Sequence, residues 1–136
     1  MKNIFGVLAL ILLFNCSKDE TQEAKDILVD SQLISEWIIE SKGINNTPSI
    51  ETYCCESITF LFDNNIQDLT GNFIQIIDSE EITGKFTVNP LINTISFSSP
   101  SVADFIYNYE IEQSDFLKLS YFENGAVYYM RYSRAN

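Results

Sequence analysis

With 136 residues, 19 Asp and Glu against 8 Lys and Arg, a net charge of −11 and no histidine, the chain excludes several functions before any motif is read. An acidic surface repels nucleic-acid phosphates and anionic headgroups, and the missing imidazole removes the commonest general base, the commonest metal ligand and every Ser-His or Cys-His nucleophile pair. The length suits one ordinary domain, able to bury a core without a disulfide scaffold.

In chain order, Lys2 precedes an apolar run from Ile4 to Phe14, which ends at Leu13-Phe14-Asn15-Cys16 and gives way at once to Ser17-Lys18-Asp19-Glu20. The run is shorter than the about 18 residues a membrane span needs; it reads as a secretory signal with a cysteine at the cut site. Leu13-Phe14-Asn15-Cys16 resembles a bacterial lipobox, and Ser17-Lys18-Asp19-Glu20 is similar to the acidic tether of Bacteroidetes-type lipoproteins. The resemblance implies a signal peptide over 1–15, diacylation of Cys16, and a lipid-anchored place on the outer membrane, exposed at the cell surface. Losing Lys2 with the leader takes the basic-to-acidic balance from 8 against 19 to 7 against 19, a net charge near −12.

Residues 16–32 are charged and poor in aromatics and read as a tether; the helix-compatible piece Glu23 to Val29 is too short to be stable alone. From residue 33 to 136 the hydrophobic period becomes two, the mark of half-buried strands. The first runs over 33–40 and is closed by the turn-rich stretch Gly43 to Ser49. The second runs from Ser57 to Asp63, with Ile58, Phe60 and Phe62 on one face and a turn at Asp63-Asn64-Asn65. The third combines 66–69 and 72–77, bent or bulged around Thr70-Gly71. Further strands are predicted over 82–88, stopped by Asn89-Pro90, and over 92–98, 104–112, 116–122 and 126–134. Asp78 to Glu81 and Gln113-Ser114 are turns, and Asn124-Gly125 supplies the positive backbone angles of a two-residue hairpin. About eight short strands without a long helix predict an all-β, antiparallel meander closed into a barrel, closure removing the sticky edges of so apolar a sheet.

If Cys16 carries the lipid, Cys54 and Cys55 remain, adjacent in sequence and in an oxidising compartment. They can bridge through a strained eight-membered ring, stay reduced as small hydrophobes, or pair between chains. With nothing basic beside them to lower a thiol pKa, we read them as structural rather than as a redox switch. Asp63, Asn65 and Asp68 lack the glycine and bidentate Glu of a calcium loop, and Asp78, Glu80 and Glu81 form a similar solvated acidic turn. Asn45-Asn46-Thr47 has the pattern of a glycosylation acceptor. Tyr121, Phe122, Tyr128, Tyr129 and Tyr132 fall on both faces of the last hairpin, as cross-strand pairs. No metal, cofactor or catalytic residue is expected: carboxylate-only hydrolysis needs two acids facing across a cleft, and no such pair stands out.

The order Leu33-Ile34-Ser35-Glu36-Trp37, Cys54 or Cys55, Thr59-Phe60, Gly84-Lys85-Phe86, Tyr109-Glu110-Ile111, Leu117-Lys118-Leu119 and Tyr132 with Arg134 resembles the lipocalin-like domains of Bacteroidetes-type lipoproteins. Ser35 stands where that family carries the glycine of Gly-x-Trp, and the second cysteine that some members carry deeper in the sheet is missing. The resemblance implies that Trp37 plugs the closed end of an eight-stranded barrel and that Arg131 or Arg134 lies over its indole. It further implies a monomer that binds a small apolar ligand inside. Alternation makes Phe60, Phe62, Phe73, Phe86, Phe97, Tyr107, Tyr109 and Leu119 the candidate lining. Eight such large side chains also suit a solid interior. The alternative function is then a structural or inhibitory surface module that recognises a protein or glycan partner, and an enclosed apolar pocket of several hundred Å³ separates the two.

Overall fold

The computed structural model describes residues 32–51, 55–63 and 69–136. The leader, Cys16, the tether up to Ser31, Cys54, and Asn64, Asn65 and Asp68 lie outside these. Nine antiparallel strands follow one another: β1 Glu36–Ile44, β2 Thr47–Pro48, β3 Ser57–Phe62, β4 Thr70–Ile77, β5 Glu80–Asn89, β6 Thr94–Ser98, β7 Phe105–Glu112, β8 Phe116–Glu123 and β9 Ala126–Arg134. Each pairs with the next, except that β1 takes both β2 and β3 on one edge and β9 on the other. That last pairing, Trp37 opposite Arg134 through Ile44 opposite Tyr128, closes eight strands into a barrel, with β2 as a short extra flap.

The hairpins explain why the chain can turn so often. Asn45-Asn46, Asp78-Ser79, Gln113-Ser114 and Asn124-Gly125 each place two successive residues at positive φ, between 49° and 81°. Two-residue turns of that hand match the right-handed twist of the strands they join. Asn and Gly reach this region easily, and Asp tolerates it.

Inside, alternation sends Trp37, Ile39, Ile58, Phe60, Phe73, Phe86, Val88, Ile95, Phe97, Leu117, Leu119 and Tyr132 into one core, all buried. Rings too large for the bore are accommodated by glycine. Gly71 stands opposite Phe86 and Gly84 opposite Phe73 on β4 and β5. A Cβ at Gly84 would lie 2.1 Å from the Ser98 carbonyl oxygen and 2.8 Å from the Phe73 ring; one at Gly71 would lie 2.5 Å from Phe86. The two glycines are therefore the slots into which two core phenylalanines fold.

Several boundaries differ from those predicted, each for a physical reason. β1 starts at Glu36, because Leu33 is used as a plug, and runs past Gly43 to Ile44, because Asn45-Asn46 turns the chain. The expected irregularity at Thr70-Gly71 is absent: β4 pairs unbroken with β3 and β5 there. The register shift lies in β1 instead, between Ile39 and Ser41. Leu69 precedes β4, and Ile92 sits exposed in the turn before β6, which begins at Thr94.

Candidate functional site

The barrel has two unlike ends. At one, the chain enters β1. Leu33 and Trp37 are fully buried, and the Trp37 indole N–H donates to the Leu33 carbonyl oxygen at 2.9 Å. The Arg134 guanidinium lies 4.4 Å over the Trp37 ring, and it donates to the Ser114 carbonyl at 2.9 Å and to that of Gln32. A cation on an indole face with its remaining protons on carbonyls is a satisfied cap. Arg131, the other candidate, faces outward, 3.7 Å over Phe116 and in ion pairs with Glu40 at 2.5 Å and Glu112 at 3.0 Å.

The opposite end, formed by the turns at 45–46, 78–79 and 124–125 and the loop 99–104, is the mouth. Here the interior turns polar. The register shift in β1 reverses its parity, so that Lys42 rather than Ser41 shares a level with the inward Met130. Its ammonium meets the Glu56 carboxylate at 2.6–2.7 Å. Glu56 is buried. Burial, and secondarily the Glu56 charge, holds the Tyr132 phenol far above the usual range, and Gln75, from the inner face of β4, hydrogen-bonds that phenol and opposes the shift. Tyr107 is raised by burial and by Tyr121, and Tyr109 by burial.

Of the eight lining candidates, Phe60, Phe73, Phe86, Phe97 and Leu119 are buried, and Tyr107 and Tyr109 are half-buried. Phe62 is a correction: it is 45% exposed, because it is the last residue of β3. The rings fill rather than line. Phe86, Phe60, Phe97 and Phe73 form a chain of edge and tilted contacts at 5.0–6.0 Å. It continues through Tyr107 to Phe105 and to the stacked pair Tyr121 and Tyr128. Among the core rings of the described residues lies a cavity of about 50 Å³, lined by Ile58, Phe73, Gln75, Ile82, Tyr107 and Met130 among others. A water occupies roughly 30 Å³ of liquid and ligand pockets start near 300 Å³, so the space holds water and not an acyl chain. A shallower depression of about 360 Å³ lies at the mouth among Lys42, Ile44, Ser49, Tyr121, Tyr128 and Met130.

No protein-family model, curated protein or solved structure matches the chain.

Among the described residues, no three His, Cys, Asp or Glu side chains gather as a metal site. Asp63 accepts a hydrogen bond from the Thr70 hydroxyl at 3.2 Å, so it serves the start of β4. Cys55 is disulfide-bonded, at φ 71°, and its partner lies outside the described residues. In the last hairpin, Tyr121, Tyr128 and Tyr132 share the register levels of the inner face. Tyr129 points outward, yet is buried against Gly43 with the Lys118 ammonium 5.4 Å above its ring; of the five, Phe122 is the exposed one.

Sequence reasoning missed the Lys42 and Glu56 pair, because a bulge reverses alternation without changing composition. Gln75 was detectable: it is a polar residue on the otherwise apolar face Phe73, Gln75, Ile77.

Proposed function

We propose that the chain is a non-catalytic, lipid-anchored lipocalin-like surface module, held to the outer membrane through Cys16, whose solid barrel recognises a protein or glycan partner with its outside. The observation that carries this reading is the ring-filled core: the space among the core rings is about 50 Å³ where an apolar ligand would need several hundred, and the depression of about 360 Å³ lies open at the mouth. This favours surface recognition over the other expected role, carriage of a small hydrophobic molecule. Orientation supports it as well. The chain enters at the Trp37 end, so a tether fixed to a membrane leaves from the plugged end and the mouth is free to face outward.

Acylation of Cys16 would occupy its sulfur as a thioether. In a monomer, the Cys55 disulfide must then be made with Cys54. Mass spectrometry of the membrane-extracted protein tests both. The expected result is an acylated N-terminal peptide containing Cys16, and a separate peptide containing Cys54 and Cys55 that is two hydrogens light and gains them on reduction. Cys16→Ala should leave the protein in the soluble fraction. An unacylated Cys16 joined to Cys55 would overturn the anchoring.

A further inference from the structure

We infer that the mouth end of the barrel is a docking surface for a cationic amphipathic segment of a partner protein, an inference that rests on the surface-recognition reading and names the partner's chemistry. Three outward side chains on neighbouring strands carry it: Ile106 on β7, Phe122 on β8 and Val127 on β9, exposed by 67%, 71% and 42%. Phe122 pairs directly with Val127, and the β7–β8 register, continued by two residues from Asn108 opposite Ser120, brings Ile106 level with Phe122. Phe105, also at the mouth, is 52% exposed. Isolated apolar side chains on a surface mean little; a row across three strands is a patch.

Two carboxylates, Asp104 and Glu123, flank the row, and further acids stand on the rim of the same end. Glu51, Asp78, Glu80, Glu81, Asp104 and Glu123 are all exposed at this end, Asp104 just before β7 and Glu123 at the end of β8. Among the described residues the cations nearest this end are Lys42, which is paired with Glu56, and Lys118 on the outer face of β8, whose ammonium lies over the Tyr129 ring. Strands stand about 4.8 Å apart, so the row spans roughly 10 Å, the rise of about two helical turns. A helix laid across the strands can therefore set residues i, i+3 or i+4, and i+7 on Ile106, Phe122 and Val127, with Lys or Arg on its flanks meeting the carboxylates. A second copy of the chain would oppose carboxylate to carboxylate, and an anionic bilayer would be repelled. The wide concavity on the outer wall of β4 and β5 mixes Leu61 and Ile74 with Asn72, Thr83, Lys85 and Thr87 and has no acidic border.

The test uses the purified ¹⁵N-labelled chain and a synthetic Leu/Lys helix of about 14 residues, with leucines at i, i+3, i+4 and i+7 spacing. A Leu/Glu counterpart and phosphatidylcholine vesicles serve as competing probes. The expected result is binding of the Leu/Lys peptide alone, with amide shifts confined to Asp104–Ile106 and Phe122–Val127, and affinity falling about tenfold between roughly 50 and 300 mM salt. Phe122→Ser with Ile106→Ser should weaken binding at least about tenfold, as should Asp104→Asn with Glu123→Gln at low salt, whereas Leu61→Ser on the outer wall should leave it unchanged. No binding of the Leu/Lys peptide, shifts elsewhere on the wall, preference for vesicles, or dimerisation through the row would overturn the inference. Shifts centred on the inward Phe73, Tyr107 and Leu119, with the outer row silent, would instead overturn the surface-recognition reading itself.

Discussion

Arg134 shows how one side chain can finish a fold. Its guanidinium covers Trp37 and holds the carbonyls of Ser114 and Gln32, tying the end of β9 to the entry of β1 and to the β7–β8 turn. Arg134→Gln is expected to lower stability by about 1–2 kcal/mol, seen as a lower urea midpoint and a shift of Trp37 emission toward the wavelength of wet indole. Lys42 and Glu56 behave differently, because their pair sits inside the mouth. Lys42→Met leaves a buried carboxylate uncompensated and should cost about 2 kcal/mol; the double variant Lys42→Met with Glu56→Leu should regain most of it. The tyrosines set the alkaline limit. Tyr132, Tyr107 and Tyr109 are all raised above 10 by burial. The unfolded chain releases their protons near pH 10 while the native barrel retains them, so stability is intact below about pH 10 and falls as pH rises through the native values. Absorbance at 295 nm should report these tyrosinates appearing together with loss of the sheet, not before it.

At the scale of the strand, what could be read from the chain was the alternation, and it placed Trp37, Phe60, Phe73, Phe86, Phe97 and Leu119 on inner faces because a half-buried strand has no other way to satisfy both sides. The turns Asn124-Gly125 and Gln113-Ser114 were equally legible, since a two-residue hairpin demands positive φ. Less legible were features that depend on a neighbour. The bulge in β1 and the inward Lys42 it produces follow from pairing with β9, about 90 residues away in sequence. Gly71 read as an irregularity, yet its purpose is set by Phe86 across the ladder. Gly84→Val tests that assignment: its Cβ would collide with Ser98 and the Phe73 ring. The expected cost is about 1–3 kcal/mol, with Phe73 displaced, whereas Thr83→Val next to it, with an exposed side chain on the outer wall, should stay within about 0.5 kcal/mol.

The whole molecule divides into a plugged end, where the chain arrives, and an acidic mouth whose apolar row lies outside the bore. Among the described residues, closure through β1 and β9 removes the free edges of the eight barrel strands and leaves the short β2 as a flap. A connected set of eight rings occupies the space in which a carrier would hold its cargo. With the core filled by rings, the proposed recognition falls to side chains on the outside. The most direct test of this is organic extraction of the natively purified protein, with mass spectrometry of the extract set against the amount of protein. A solid barrel predicts no stoichiometric non-covalent small molecule. One equivalent of a free, non-covalent lipid or other apolar compound per chain would contradict it.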